Sequence, residues 1–252
     1  MRRYLLPRSP TARIVWVIGV MVLVWIGRCV VHSWRLDAVE SLASATGGSI
    51  SRYQWNEIAR QFPNLFHKLS EKGVDWFDEV FALHLGAEPL PQRGRHCFDN
   101  LPKLRVVSVG CSNFNGRDMR SLASNSDISQ LELYNVNWSA ELFGEISKLQ
   151  NLRRLTIMDH WSGRLKGDMF RQLESLPQLE ELWIHSSSLG DSTLDSLPVF
   201  PKLIAVDFDF RITDEGFSSL LKHPALEHAH LGGAVLSNES VDYLTELFWV
   251  RA

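Results

Sequence analysis

Seven copies of one apolar frame constrain this chain more than any other feature of its sequence. The pattern apolar-x-x-apolar-x-apolar occurs as VFALHL (80–85), LRVVSV (104–109), ISQLEL (128–133) and LRRLTI (152–157). It continues as LEELWI (179–184), LIAVDF (203–208) and LEHAHL (226–231). The starts step by 24, 24, 24, 27, 24 and 23 residues. A period of that size marks a stack of supersecondary units, none of which can bury its apolar face alone.

The second half of each unit repeats as well. Phe114, Trp138, Leu165, Leu189, Ile212 and Leu236 follow the short strands. Five residues on stand Met119, Phe143, Phe170, Leu194, Phe217 and Val241, and three further Leu122, Ile146, Leu173, Leu197, Leu220 and Leu244. Spacings of three and four predict one buried helical face per unit. FRITDEGF (210–217) is therefore punctuation. Ile212 points inward, Thr213 or Asp214 caps the next helix, and Glu215 sits in its first turn. LGDSTL (189–194) and LSNESV (236–241) occupy the same place.

On the L-x-x-L-x-L frame and the Ile-Thr-Asp-x-Gly-Phe turn, residues 76–250 resemble leucine-rich-repeat proteins of the ribonuclease-inhibitor-like and cysteine-containing subtypes. The resemblance implies an α/β solenoid of about seven strand-turn-helix units and non-catalytic binding through the concave face of its sheet. It also implies, as the alternative, a substrate-recognition adaptor of a larger complex, although no F-box-like segment accompanies the repeats. The family's Asn/Cys ladder position holds Ser112, Val136, His160, Ser187, Arg211 and Ala234 here, so its usual hydrogen bonds are expected to be mostly missing.

Residues 37–75 do not follow the frame. They read as a helix ended by Gly47-Gly48, a short strand, and two short helices split at Pro63 and stopped by Gly73. An end repeat needs cover over its open core, so 37–75 is assigned as the N-terminal cap and 76–252 as the repeats. LFWV (247–250) leaves the other end apolar, an edge suited to self-association.

The N-terminus differs in kind. IVWVIGVMVLVWIG (14–27) is unbroken apolar sequence, and RCVV extends it. Eighteen helical residues rise about 27 Å, enough to cross a hydrocarbon core. The expectation is a basic cytoplasmic stretch at 1–13 and a transmembrane signal anchor at 14–33, set against a cleaved signal peptide or a mitochondrial presequence. The arginines before the span would keep the N-terminus cytoplasmic and the repeat body on the outer, periplasmic or extracytoplasmic, side of a single-pass membrane protein.

Charge excludes one partner class. Six of the 26 basic residues and none of the 29 acidic ones fall in 1–36, which leaves −9 on the rest. An acidic body is a poor match for nucleic acid. Three cysteines, Cys29, Cys97 and Cys111, are too few and scattered for a disulfide framework. Cys97 and Cys111 read either as a pair or as two packed thiols.

No nucleophile elbow, zincin motif, P-loop or dinucleotide fingerprint is present, so the reading is not an enzyme, with no cofactor. Strand alternation sends two columns of side chains to the open face. One is His84, Ser108, Glu132, Thr156, Trp183, Asp207, His230. The other is Gly86, Gly110, Tyr134, Met158, His185, Asp209, Gly232. Tyr134, Met158, Trp183, His185, Asp207 and Asp209 form the expected partner-binding patch, because clustered exposed aromatics suit interfaces. The contrary reading covers that patch with insertion loops or the cap. A rival assigns His185, Asp207, Asp209 and His230 to a metal, but strand spacing puts the two histidines about 10 Å apart, long for one ion. The insertion DHWSGRLKGD (159–168) maps to a loop, with Trp161 either tucked back or in contact with a partner. NWS (137–139) and NES (238–240) fit the glycosylation sequon, but a frame tryptophan and a capping turn account for both.

Overall fold

Each frame becomes a short strand, because alternating β-branched and leucine side chains fit a half-buried pleated surface. In the computed structural model these strands are Glu79–Leu85 (β2), Val106–Val109 (β3), Gln130–Tyr134 (β4), Arg154–Met158 (β5), Glu181–His185 (β6), Ala205–Ile212 (β7) and His228–Ala234 (β8). Ser49–Tyr53 (β1) precedes them. The structure describes residues 36–53, 79–92, 98, 101, 103–124, 127–160, 162–174, 176–238 and 240.

The chain divides into two compact units, Met1–Ala38 with Gln54–Asp78, and Val39–Tyr53 with Glu79–Ala252. The second holds one eight-stranded sheet in the order β1 to β8. From β2 onward every pairing is parallel. Its register equals the sequence period: Leu83, Val107, Leu131, Leu155, Leu182, Val206 and Ala229 pair in succession. All seven are buried.

Between strands lie the helices Gly116–Ala123, Ala140–Ile146, Asp191–Ser196 and Asp214–Leu220. Their inner faces carry Met119, Phe143, Leu194 and Phe217, all buried. The unit with the insertion has a 3-10 helix, Gly167–Leu173, in place of an α-helix. Its loop is organised by Asp159, 2% exposed. That carboxylate accepts from the Ser162 N–H (2.9 Å) and hydroxyl (2.7 Å) and from the Leu165 N–H (3.3 Å). Burial opposes its ionisation, but these donors outweigh burial and hold the carboxyl below its ordinary value.

The expected fold class is corrected on two counts. The sheet has eight strands, because β1 pairs antiparallel with β2 and extends the N-terminal edge. The transmembrane helix is withdrawn. Among the described residues no helix is long and apolar enough to cross a membrane, and 14–33, where it was expected, lies outside them. The membrane tether, the single-pass assignment and the sidedness built on that helix go with it. Trp161, Cys97, most of the expected cap (54–75) and the C-terminal edge (241–252) also lie outside the described residues.

Two local readings change as well. Of the residues read as a ladder column, Ser112, His160, Ser187 and Arg211 are exposed, Ala234 is half-buried and Val136 is buried. The inward polar column comes one residue earlier, at Cys111, Asp159 and Ser186, because strand alternation continues one step past the frame. Cys111 Sγ reaches Gly86 O at 3.2 Å. Thr213 is the N-cap of its helix, yet its side chain makes no capping bond. Its hydroxyl donates instead to Asp191 Oδ2 of the preceding unit (2.6 Å), and its N–H to Oδ1 (2.8 Å). Asp214 repeats the device one unit on, accepting from the Ser237 N–H at 2.9 Å. The aspartates of these turns thus tie units together.

Gly216 makes room for that tie, since a Cβ there would overlap the Asp191 carboxylate. Helix propensity alone gives Gly216→Ala a gain of about 1 kcal/mol. The expected outcome has the opposite sign, a loss of about 1–3 kcal/mol in urea denaturation, because the inserted methyl must displace Asp191.

Candidate functional site

The open face of the sheet is built from three register rows. His84, Ser108, Glu132, Thr156, Trp183, Asp207 and His230 are successive partners across seven strands. Tyr134, Met158, His185 and Asp209 form the row beside it. That row breaks at β8, where the β7 pairing shifts between Phe208 and Arg211. Val106, Gln130, Arg154, Glu181, Ala205 and His228 form a third row on the other side.

Tyr134, Met158, Trp183 and His185 are half-buried. Tyr134 donates to Glu132 Oε2 at 2.9 Å, and Gln130 Nε2 donates to Glu132 Oε1 at 2.8 Å. Burial, helped by the Glu132 carboxylate, pushes the Tyr134 phenol up to about 12, so it remains a proton donor at physiological pH. Thr156, in the middle of the patch, is 2% exposed, so the surface there has a closed floor.

Arg154 reaches Glu181 through Nε and a terminal nitrogen, both at 2.8 Å, a bidentate fork. Its guanidinium carbon lies 5.6 Å from the Trp183 ring centroid, within cation–π range. Trp183 is therefore engaged by Arg154. The Glu181 hydrogen bonds raise the Arg154 pKa, and the same two bonds orient the guanidinium.

His185 Nε2 and His230 Nδ1 both meet Asp207 Oδ1, at 3.0 and 2.9 Å. The two rings lean toward each other from different rows and share one oxygen, so they come closer than strand spacing suggested. Asp209 is exposed and does not join them. Among the described residues no group of three or more His, Cys, Asp or Glu side chains is arranged to hold a metal ion. Among the same residues the hydrogen-bond partner of each histidine is Asp207.

Gln130, Arg154 and Glu181 were not among the sequence-predicted residues. A signal for them existed. Arg153-Arg154 and Glu180-Glu181 fill the same frame positions one period apart, and both pairs close, Arg153 to Glu180 at 2.8 Å. Opposite charges facing each other on neighbouring strands attract, and the frame predicts that juxtaposition. No family model and no curated protein matches the chain.

Proposed function

We propose that this chain is a non-catalytic binding protein of the leucine-rich-repeat kind, which presents the open face of its sheet to a protein or peptide. The observation that carries the reading is the half-buried cluster Tyr134, Met158, Trp183 and His185 on adjacent register rows, with Tyr134 and His185 held by hydrogen bonds and Trp183 by the Arg154 guanidinium. Aromatic and methionine side chains are favoured interface anchors. Their pre-set geometry lowers the ordering penalty of association. The sequence period and its matching register support the repeat resemblance.

The test is chemical-crosslinking capture from a native extract of the source cells, with wild-type chain against the double substitution Tyr134→Ala/Trp183→Ala. Two interface anchors at about 2 kcal/mol each predict a loss of affinity on the order of a thousandfold. A partner captured by the wild type should be absent from the variant. Equal capture by both would remove the open face from consideration.

A further inference from the structure

The row Glu132–Thr156–Trp183–Asp207 runs across four adjacent strands with a carboxylate at each end. Strand spacing places those ends about 14 Å apart. At one end Glu132 accepts from two neutral donors, Gln130 and Tyr134. The Arg154 guanidinium feels Glu132 but is forked onto Glu181, so these three groups together keep one net negative charge. At the other end both histidines share Asp207 Oδ1, and among the described residues no hydrogen bond reaches Oδ2. Asp209 adds an exposed carboxylate on the same strand, and Arg211, two residues on, is exposed as well. Between the carboxylate ends lie the Trp183 ring and the buried Thr156.

Resting on the binding role proposed above, we infer that the occupant of this face is an extended segment of a protein partner bearing two cationic side chains four residues apart, with an apolar side chain midway. In an extended chain residues i and i+4 are about 13 Å apart and point to the same side as i+2. That spacing matches the two acidic ends, and the i+2 side chain falls between Thr156 and Trp183, beside the indole. Arginine suits both ends, because its fork pairs with carboxylates. Charge complementarity of this kind sets specificity and register more than bulk affinity.

The test uses the full chain and fluorescein-labelled synthetic peptides read by anisotropy at about 0.1 M and 0.5 M salt. One peptide carries Arg-Ser-Leu-Ser-Arg in a Gly/Ser background. A second has the two arginines adjacent, a third has glutamates in their place, and a fourth has serines. The spaced-arginine peptide is expected to bind at least about tenfold more tightly than the glutamate peptide and several-fold more tightly than the adjacent-arginine one, with salt narrowing the gap. Glu132→Gln/Asp207→Asn, which keeps the shape and one acceptor oxygen at each position while removing both charges, should reduce it to the level of the serine peptide. Trp183→Ala should weaken all four, and thermal melts report that each variant is folded. Equal binding of the arginine and glutamate peptides, both lost in Trp183→Ala, would overturn the cationic occupant and leave the binding face standing. No binding of any peptide, or binding indifferent to Trp183, would overturn both. A concentration-dependent dimer broken by Glu132→Gln/Asp207→Asn would make a second copy the occupant and overturn the inference.

Discussion

Phe143→Ala is expected to destabilise the fold by about 3–5 kcal/mol, the range for emptying a fully enclosed aromatic site. Phe143 has no exposed surface. It meets Phe170 of the next unit edge-on at 4.9 Å and Trp138 of its own unit at 6.2 Å. The substitution therefore opens a cavity between two stacked units, and nearest-neighbour coupling is what holds such a stack together. Neighbouring backbone is tied into the sheet on both sides, so collapse into the cavity is restricted. Urea denaturation of Phe143→Ala, Phe170→Ala and the double variant would measure the loss. It would also measure a pairwise coupling of about 0.5–1.5 kcal/mol beyond area burial. A loss below about 1 kcal/mol would mean that the units are not packed through this pair.

Between about pH 6.5 and 4, acid should weaken the fold through His223. Its ring is 4% exposed and stacks on Phe200 at 5.7 Å. Its Nδ1 accepts the Phe200 N–H at 3.2 Å, which assigns the neutral ring's proton to Nε2. Among the described residues Nε2 has no partner. Burial, with the neighbouring Lys222 charge, pushes the imidazole down to about 4. The unfolded chain binds the proton near pH 6.5 and the folded chain only near 4. Stability contributed by the neutral ring is thus complete above pH 6.5, falls as pH drops, and is gone below 4. The loss amounts to about 3 kcal/mol. His223→Leu should flatten this part of the profile. At neutral pH the exchange removes both an acceptor for the Phe200 N–H and an orphaned Nε2–H, two effects of opposite sign. Urea midpoints at pH 7.5, 6, 5 and 4.5 test it. An unchanged slope in His223→Leu would assign the acid sensitivity elsewhere.

The frame made much of this legible before any coordinates. Period and alternation together give strand positions, register and the rows of the open face, because side-chain direction in a strand follows from counting by two. The same counting located the turns. It failed where a side chain serves a neighbouring unit. Thr213 and Asp191 carry ordinary capping chemistry in sequence, and only the stacking of units turns one toward the other. His223 occupies a frame position filled by Leu149, Leu176 and Phe200 in other units. Its meaning is readable only once those positions are aligned and seen to be buried. The polar column at Cys111, Asp159 and Ser186 was missed by one residue, since alternation runs one step further than the repeated motif. The apolar run at 14–31 shows a different limit. It lies outside the described residues, among which no helix is long and apolar enough to cross a membrane.

The most direct test of the binding face is site-specific photocrosslinking. A photoreactive side chain would replace Met158, in the half-buried row on the open face, and, in a second protein, Arg171, exposed on the helix side. Each would be irradiated in native extract. A partner adduct from position 158 and none from 171, lost when Tyr134→Ala/Trp183→Ala is added, is the predicted result. Adducts from 171 alone, or equally from both positions, would contradict it.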